Sequence, residues 1–195
     1  MKSYIFALFA LLPLILTAPA QAEPMTYKFD TVHSQVIFFV MHRGFSKSEG
    51  EFLEFDGDFT FDEANPEAGS VNVTIDTNSL SMDDDVWTDH TKTKFFDTEN
   101  HPNMTFKSTE VLKTGEDTAL LTGDLTMLGV TKPVTLDVKL NKVEMDDEGG
   151  ATAGFSATGN IKRSEWGMDY GQGMIGDDVE LRIEVEANAK DGMNK

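Results

Sequence analysis

Seven stretches of this chain alternate apolar and polar residues with a period of two. Phe55, Gly57, Phe59 and Phe61 alternate with Glu54, Asp56, Asp58 and Thr60. The same alternation runs through 71–75, 104–107, 121–127, 134–141, 155–161 and 179–186. Successive side chains of a strand point to opposite faces, so each run predicts a strand with one dry and one wet face. Asn65-Pro66, Thr114-Gly115-Glu116-Asp117, Leu128-Gly129 and Asp146-Asp147-Glu148-Gly149-Gly150 supply turns between them. Such short connections imply antiparallel hairpins.

One stretch breaks the rule. Val36-Ile-Phe-Phe-Val-Met-His42 is apolar on both faces until it reaches His42-Arg43-Gly44. One parity (Val36, Phe38, Val40, His42) fits an interior. The other (Ile37, Phe39, Met41) needs an outer cover, since burying each such side chain stabilises by about 1.5–3 kcal/mol. The expected cover is a short connecting helix over 83–93 together with Trp87, Phe95 and Phe96. Asp83-Asp84-Asp85 suits the positive end of that helix.

With this stretch the strands number at least eight. Eight strands, dry inside and wet outside, close into a barrel that leaves no exposed edge. A two-sheet sandwich has the same periodicity. A barrel of this size has an interior that its own side chains fill, or that holds one small ligand. Small inward residues at Gly57, Gly123, Ala157 and Gly159 point towards space.

Lys2, an apolar run from Ile5 to Leu16 and Ala20-Gln21-Ala22 have the layout of a secretory signal peptide cleaved after Ala22. Residues 23–195 are then expected to form one domain, exported to the periplasm. The mature chain carries 15 Lys and Arg against 34 Asp and Glu, a net charge of -19. Such a surface repels phosphate backbones and anionic head groups, which argues against nucleic acid and peripheral membrane binding, and no stable membrane insertion is expected. There is no cysteine, so stability rests on the core alone. Pairing as a homodimer is compatible with all of this.

Chemical motifs are sparse. Gly171-Gln-Gly-Met-Ile-Gly176 matches a dinucleotide-binding pattern but is followed by Asp177-Asp178, with no helix to cradle phosphate. His33, His42, His90 and His101 lack metal-ligand spacing, and the acidic runs at 83–85 and 144–148 do not fit a calcium loop. His33 and Ser34, as strand neighbours, point apart. No nucleophile elbow occurs. Neither an enzyme nor a cofactor is expected.

Several blocks, in order, resemble the YceI-like family. They are Tyr27-Lys-Phe-Asp30, His33-Ser34-x-Val36-x-Phe38-x-Val40-x-His42-x-Gly44, Phe95-Phe96-Asp97, His101-Pro102, Met104 to Thr109, Leu125 to Val134, Gly154 to Gly159, and Arg163-Ser164-x-Trp166-Gly167-Met168. The resemblance spans Tyr27 to Ala187. It implies an all-β, lipocalin-like antiparallel barrel of about eight strands with one short helix. It also implies a periplasmic, stress-associated role in binding a long-chain amphiphile: a polyisoprenoid, an isoprenoid quinone or a fatty acyl lipid.

The expected ligand-binding set is the apolar inward parity with its mouth residues. On the first half of the chain these are Phe38, Val40, His42, Phe45, Phe55, Phe59, Val73 and Ile75, with Trp87 and His90 from the helical segment. On the second half they are Phe106, Leu125, Met127, Leu136, Val138, Phe155, Ala157 and Leu181. His42, Arg43 and His90 are the polar candidates for a head group. The family spacing after His90 is replaced here by Thr91-Lys92-Thr93-Lys94, a segment placed as a lid. The alternative is an acidic, stress-related interaction module whose barrel is filled and holds no ligand.

Overall fold

Alternation along the chain produces strands long enough to wrap round a common interior. A computed structural model describes residues 24–147 and 149–189; the expected signal peptide lies outside them. Eleven strand segments occur among these residues: β1 (Met25–Phe29), β2 (Gln35–His42), β3 (Ser46–Phe52), β4 (Phe55–Phe61), β5 (Ser70–Asp76), β6 (Leu80–Ser81), β7 (Asn103–Lys113), β8 (Thr118–Met127), β9 (Val130–Met145), β10 (Ala151–Lys162) and β11 (Ile175–Ala189). Every pairing between them is antiparallel. The order β1-β4-β5-β7-β8-β9-β10-β11 returns to β1 and closes an eight-strand barrel.

β11 is the seam. Near its end it pairs with β1, at Phe29 opposite Ala187. Along its first ten residues it pairs with β2 instead, setting Phe38 opposite Leu181 and Val40 opposite Val179. β2 carries β3 and then the two-residue β6. One end of the barrel therefore closes through β1 and β4. The other runs out at β6, and a helical segment completes that end.

That segment is helix α1 (Asp85–Thr91) followed by a π-helical turn, Lys92–Phe96. Asp84 caps α1 by accepting the Trp87 backbone N–H at 2.9 Å. The segment does not cover the outer face of β2. Phe96 packs inside instead, with ring centroids 6.1 Å from Phe38 and 5.4 Å from Phe52. The outer face of β2 is flanked by charged residues: Ile37 stands opposite Glu51 and Arg182, and Phe39 opposite Glu49 and Glu180. The alkyl stems of such side chains shield apolar neighbours while their charges stay in water.

The apolar interior forms two clusters. One, at the β1 end, stacks Tyr27 on Phe59 at 5.0 Å, sets Phe155 edge-on to Phe59 and Phe61, and rests on Ala151, Ala153, Ala187 and Ala189. The other gathers Phe38, Phe52, Phe96, Met104, Met127, Trp166 and Met168 towards the helical end.

The inward glycines do not leave room for a ligand. A Cβ on Gly123 would lie 2.4 Å from Cζ of Phe106, and one on Gly159 would lie 2.6 Å from a Leu136 methyl. At Gly57, with φ +150°, it would lie 2.0 Å from the Asn72 carbonyl oxygen. These positions let neighbouring side chains or backbone approach closely. Replacing Gly57 with Ala is expected to destabilise the protein by about 1–3 kcal/mol. Gly154→Ala, which meets nothing closer than 3.7 Å, should be near neutral. Urea midpoints of the two variants test this directly.

Candidate functional site

Between the two clusters the barrel is hollow. A cavity of about 480 Å³ runs along its axis. Its middle is walled by Val36, Val40, Val73, Ile75, Phe106, Leu121, Leu125, Leu136, Val138, Leu181 and Ile183. All come from the inward parity of their strands. Among the described residues, no buried side-chain nitrogen or oxygen lacks a hydrogen-bond partner. The apolar side chains of this middle stretch offer an occupant no hydrogen bond.

The two ends differ. The end near β1 is bordered by Glu63, Lys113, Glu116 and Asp117, and is acidic on balance. The helical end carries the polar and aromatic groups of the site. His90 Nε2 lies 3.1 Å from the Tyr170 hydroxyl. The rings of His90, Phe95 and Tyr170 meet edge to face, with centroids 5.1–6.1 Å apart. His42 meets Trp87 in the same way at 5.4 Å. These contacts tie the helical segment to β2 and to the loop before β11.

Arg163 organises that loop. It is only 3% exposed, and no carboxylate bonds it. Its guanidinium donates to four backbone carbonyls instead: Gly176 at 2.8 Å, Tyr170 at 2.8 Å, Ile175 at 3.1 Å, and Met168. Its Cζ also lies 5.6 Å above the Phe95 ring, a cation–π geometry. Burial pushes its pKa down, while Asp177 and Asp169 oppose that shift. The loop with the dinucleotide-like glycine pattern therefore turns carbonyls towards a cation, the reverse of a phosphate cradle. Trp166 fixes the preceding turn by donating from Nε1 to the Leu125 carbonyl at 3.1 Å.

Of the expected set, Phe38, Val40, His42, Phe55, Phe59, Val73, Ile75, Trp87, His90, Phe106, Leu125, Met127, Leu136, Val138, Phe155, Ala157 and Leu181 all line the cavity. Phe45 does not. It sits in the β2–β3 turn with its ring 85% exposed. Arg43, in the same turn, occupies the left-handed region at φ 51° and also lies outside the cavity wall. Arg163, which the sequence marks only as part of the family block, and Tyr170, which no sequence signal marks, line it instead.

His33 stands on the outer surface. Its Nδ1 lies 3.0 Å from an Asp30 carboxylate oxygen. Ser34 is buried, and its hydroxyl both donates to and accepts from the Glu186 backbone at 3.0 Å, so it is no nucleophile for His33.

The YceI-like domain matches residues 27–187. The chain belongs to the YceI-like family. Protein YceI of Escherichia coli O17:K52:H18 is 42% identical over 175 residues, covering 88% of this chain and 91% of that protein. Among solved YceI-like folds, Burkholderia cenocepacia BcnA is similar with a TM-score of 0.73 and 26% identity, covering 81% of this chain and 98% of its own. A polyisoprenoid binding domain from Saccharophagus degradans, implicated in plant cell wall breakdown, shares the fold with a TM-score of 0.64 at 16% identity, covering 85% of this chain and 99% of its own.

Two outcomes follow from these contacts. Arg163→Lys keeps a charge but cannot reach four carbonyls at once. It should cost about 1.5–3 kcal/mol in urea unfolding and open the 168–176 loop to protease. The second concerns pH. Asp30 and Glu186 raise the His33 pKa, and the His33 contact lowers that of Asp30. The His33 contribution is therefore complete below its unfolded pKa of about 6.5 and fades as pH rises through the raised folded value. The Asp30 contribution fades as pH falls through its depressed value. His33→Gln should lower the urea midpoint near pH 6 more than near pH 9. Equal losses at both pH values would rule the pairing out.

Proposed function

We propose that this protein binds the hydrocarbon tail of a long-chain amphiphile in its barrel and carries it through the periplasm. The observation that carries this reading is the cavity of about 480 Å³ with an entirely apolar middle. That volume lies within the usual range for ligand pockets. The lumen is not filled by its own side chains, which disfavours the ligand-free interaction module. A barrel of the same fold is described as a polyisoprenoid binding domain. Polyisoprenoids, isoprenoid quinones and fatty acyl lipids all fit such a wall.

The tail supplies the affinity, at about 0.8 kcal/mol per buried CH₂ before ordering costs. His42, His90 and Tyr170 at the helical end are placed to meet a head group. Export rests on the sequence of residues 1–22. Among the described residues, no helix is long and apolar enough to cross a membrane.

The test is to purify the protein natively, extract it with organic solvent, and identify bound lipid by mass spectrometry. A tail-bearing lipid should appear at a fixed ratio to protein. Ala157→Phe, which places a ring in the lumen, should weaken uptake of a fatty acid or quinone by about tenfold or more with the fold intact by circular dichroism. An empty extract, with no uptake on titration, would retire the proposal.

A further inference from the structure

Six of the eleven exposed large apolar side chains gather at the helical end of the barrel: Met41, Phe45, Val86, Trp87, Tyr170 and Met174. They come from three elements held together round the cavity. The β2–β3 turn is joined to the last loop by the Arg43 backbone N–H, which donates to the Met174 carbonyl at 2.6 Å. α1 is joined to β2 through the His42–Trp87 ring contact, and to the loop through His90 and Tyr170. Phe45, Val86 and Met174 are 85%, 76% and 55% exposed. Apolar residues exposed singly need no explanation, but a ring of them round a mouth does.

We propose that this rim is a docking surface for a lipid bilayer of low net charge, on which the barrel exchanges its ligand. The proposal rests on the tail-binding reading above. A long tail crossing water is penalised for every methylene exposed, so a carrier gains by setting its mouth against the bilayer. The rim has the make-up of an interfacial contact, with Phe, Trp and Tyr beside Met and Val.

The apolar rim selects the end, and charge selects the class of lipid. The opposite rim carries Glu63, Glu116 and Asp117 with Lys113 as the neighbouring cation, and is repelled by lipid phosphates. The helical end has Arg43, Lys47, Lys92 and Lys94 against Asp83, Asp84, Asp85, Asp89, Asp97, Asp169 and Asp177, and Lys47 is already paired with Glu180. That acidic excess repels anionic head groups, as the overall charge already implies, and leaves a zwitterionic surface as the one the apolar rim can meet. The contact is brief, because the chain as a whole is strongly acidic, at -18.

The test uses Phe45→Ser with Val86→Gln, two rim residues outside the cavity wall. The first readout is quenching of Trp87 fluorescence by brominated phosphatidylcholine vesicles, which needs no ligand; Trp166 is buried and stays unquenched. Wild type should be quenched and the double variant should not. The second is transfer of NBD-labelled stearic acid from loaded protein to phosphatidylcholine vesicles. The wild-type rate should rise with vesicle concentration. The double variant should transfer about tenfold more slowly with unchanged equilibrium uptake. Absence of quenching in wild type, or a transfer rate indifferent to vesicle concentration and to both substitutions, would overturn the docking surface. Failure of wild type to take up the probe at all would count against the tail-binding reading, while quenching alone would still decide the docking.

Discussion

One edge of β11 serves two strands, and the rest of the architecture depends on that division. Pairing with β1 at Ala187 and Asn188 closes the ring at one end. Pairing with β2 from Ile175 to Glu184 diverts the wall at the other. Because β2, β3 and β6 form a flap that ends at Leu80-Ser81, the sheet cannot complete the helical end with strands. α1 and its π-helical turn occupy that place, with no residue of α1 fully buried. Elements with few buried apolar contacts are the ones that open most readily. A barrel closed by hydrogen bonds at one end and by side-chain contacts at the other has its natural entrance at the second.

The same division explains the electrostatics. The outer face carries most of the acidic excess, where water screens it. Inside, among the described residues, the buried cation is Arg163, held by carbonyl dipoles in place of a carboxylate. Removing two charges from water costs several kcal/mol per ion unless the geometry is excellent. Four carbonyls and an aromatic face solvate one guanidinium without burying a second ion. They also knit the loop between β10 and β11 to Phe95, so the entrance is positioned by the barrel wall itself.

Much of this was legible in the residues. The alternation in β4, β5 and β7 to β11 marks which side chains meet the lumen, because in a closed sheet parity alone decides the face. β3 escaped that logic. Its inward positions are Ser48, Gly50 and Phe52, and Gly50 leaves a gap in the pattern that the Phe38 ring fills: a Cβ there would lie 2.3 Å from its Cζ. The cover for Ile37 and Phe39 was misplaced because pattern cannot distinguish a helix lying on a wall from one plugging an end. Phe45 reads as interior by composition yet lies beyond the Arg43-Gly44 turn, where strand parity no longer applies. Arg163 carried one signal, its place beside Lys162 directly before the glycine-rich stretch 167–176. Nothing in periodicity says that it turns inward.

The apolar side chains that wall the middle of the cavity bear on selectivity. A pocket that hydrogen-bonds its ligand rejects an analogue lacking that group by several orders of magnitude, since its own polar groups are left unpaired. A purely apolar wall discriminates only by fit, at about 1–3 kcal/mol for each methylene gained or lost. For a barrel of this kind, tails of different chemistry but similar girth are close competitors. In the proposed tail-binding reading, what separates them is the handful of groups at the helical end, chiefly the His90–Tyr170 pair and His42. Those groups belong to the part of the wall that strands do not complete, so in that reading recognition of the head group and opening of the entrance would draw on the same contacts. Tightening one of these contacts to favour a particular head group would also slow entry, and the two properties cannot be tuned independently in this fold.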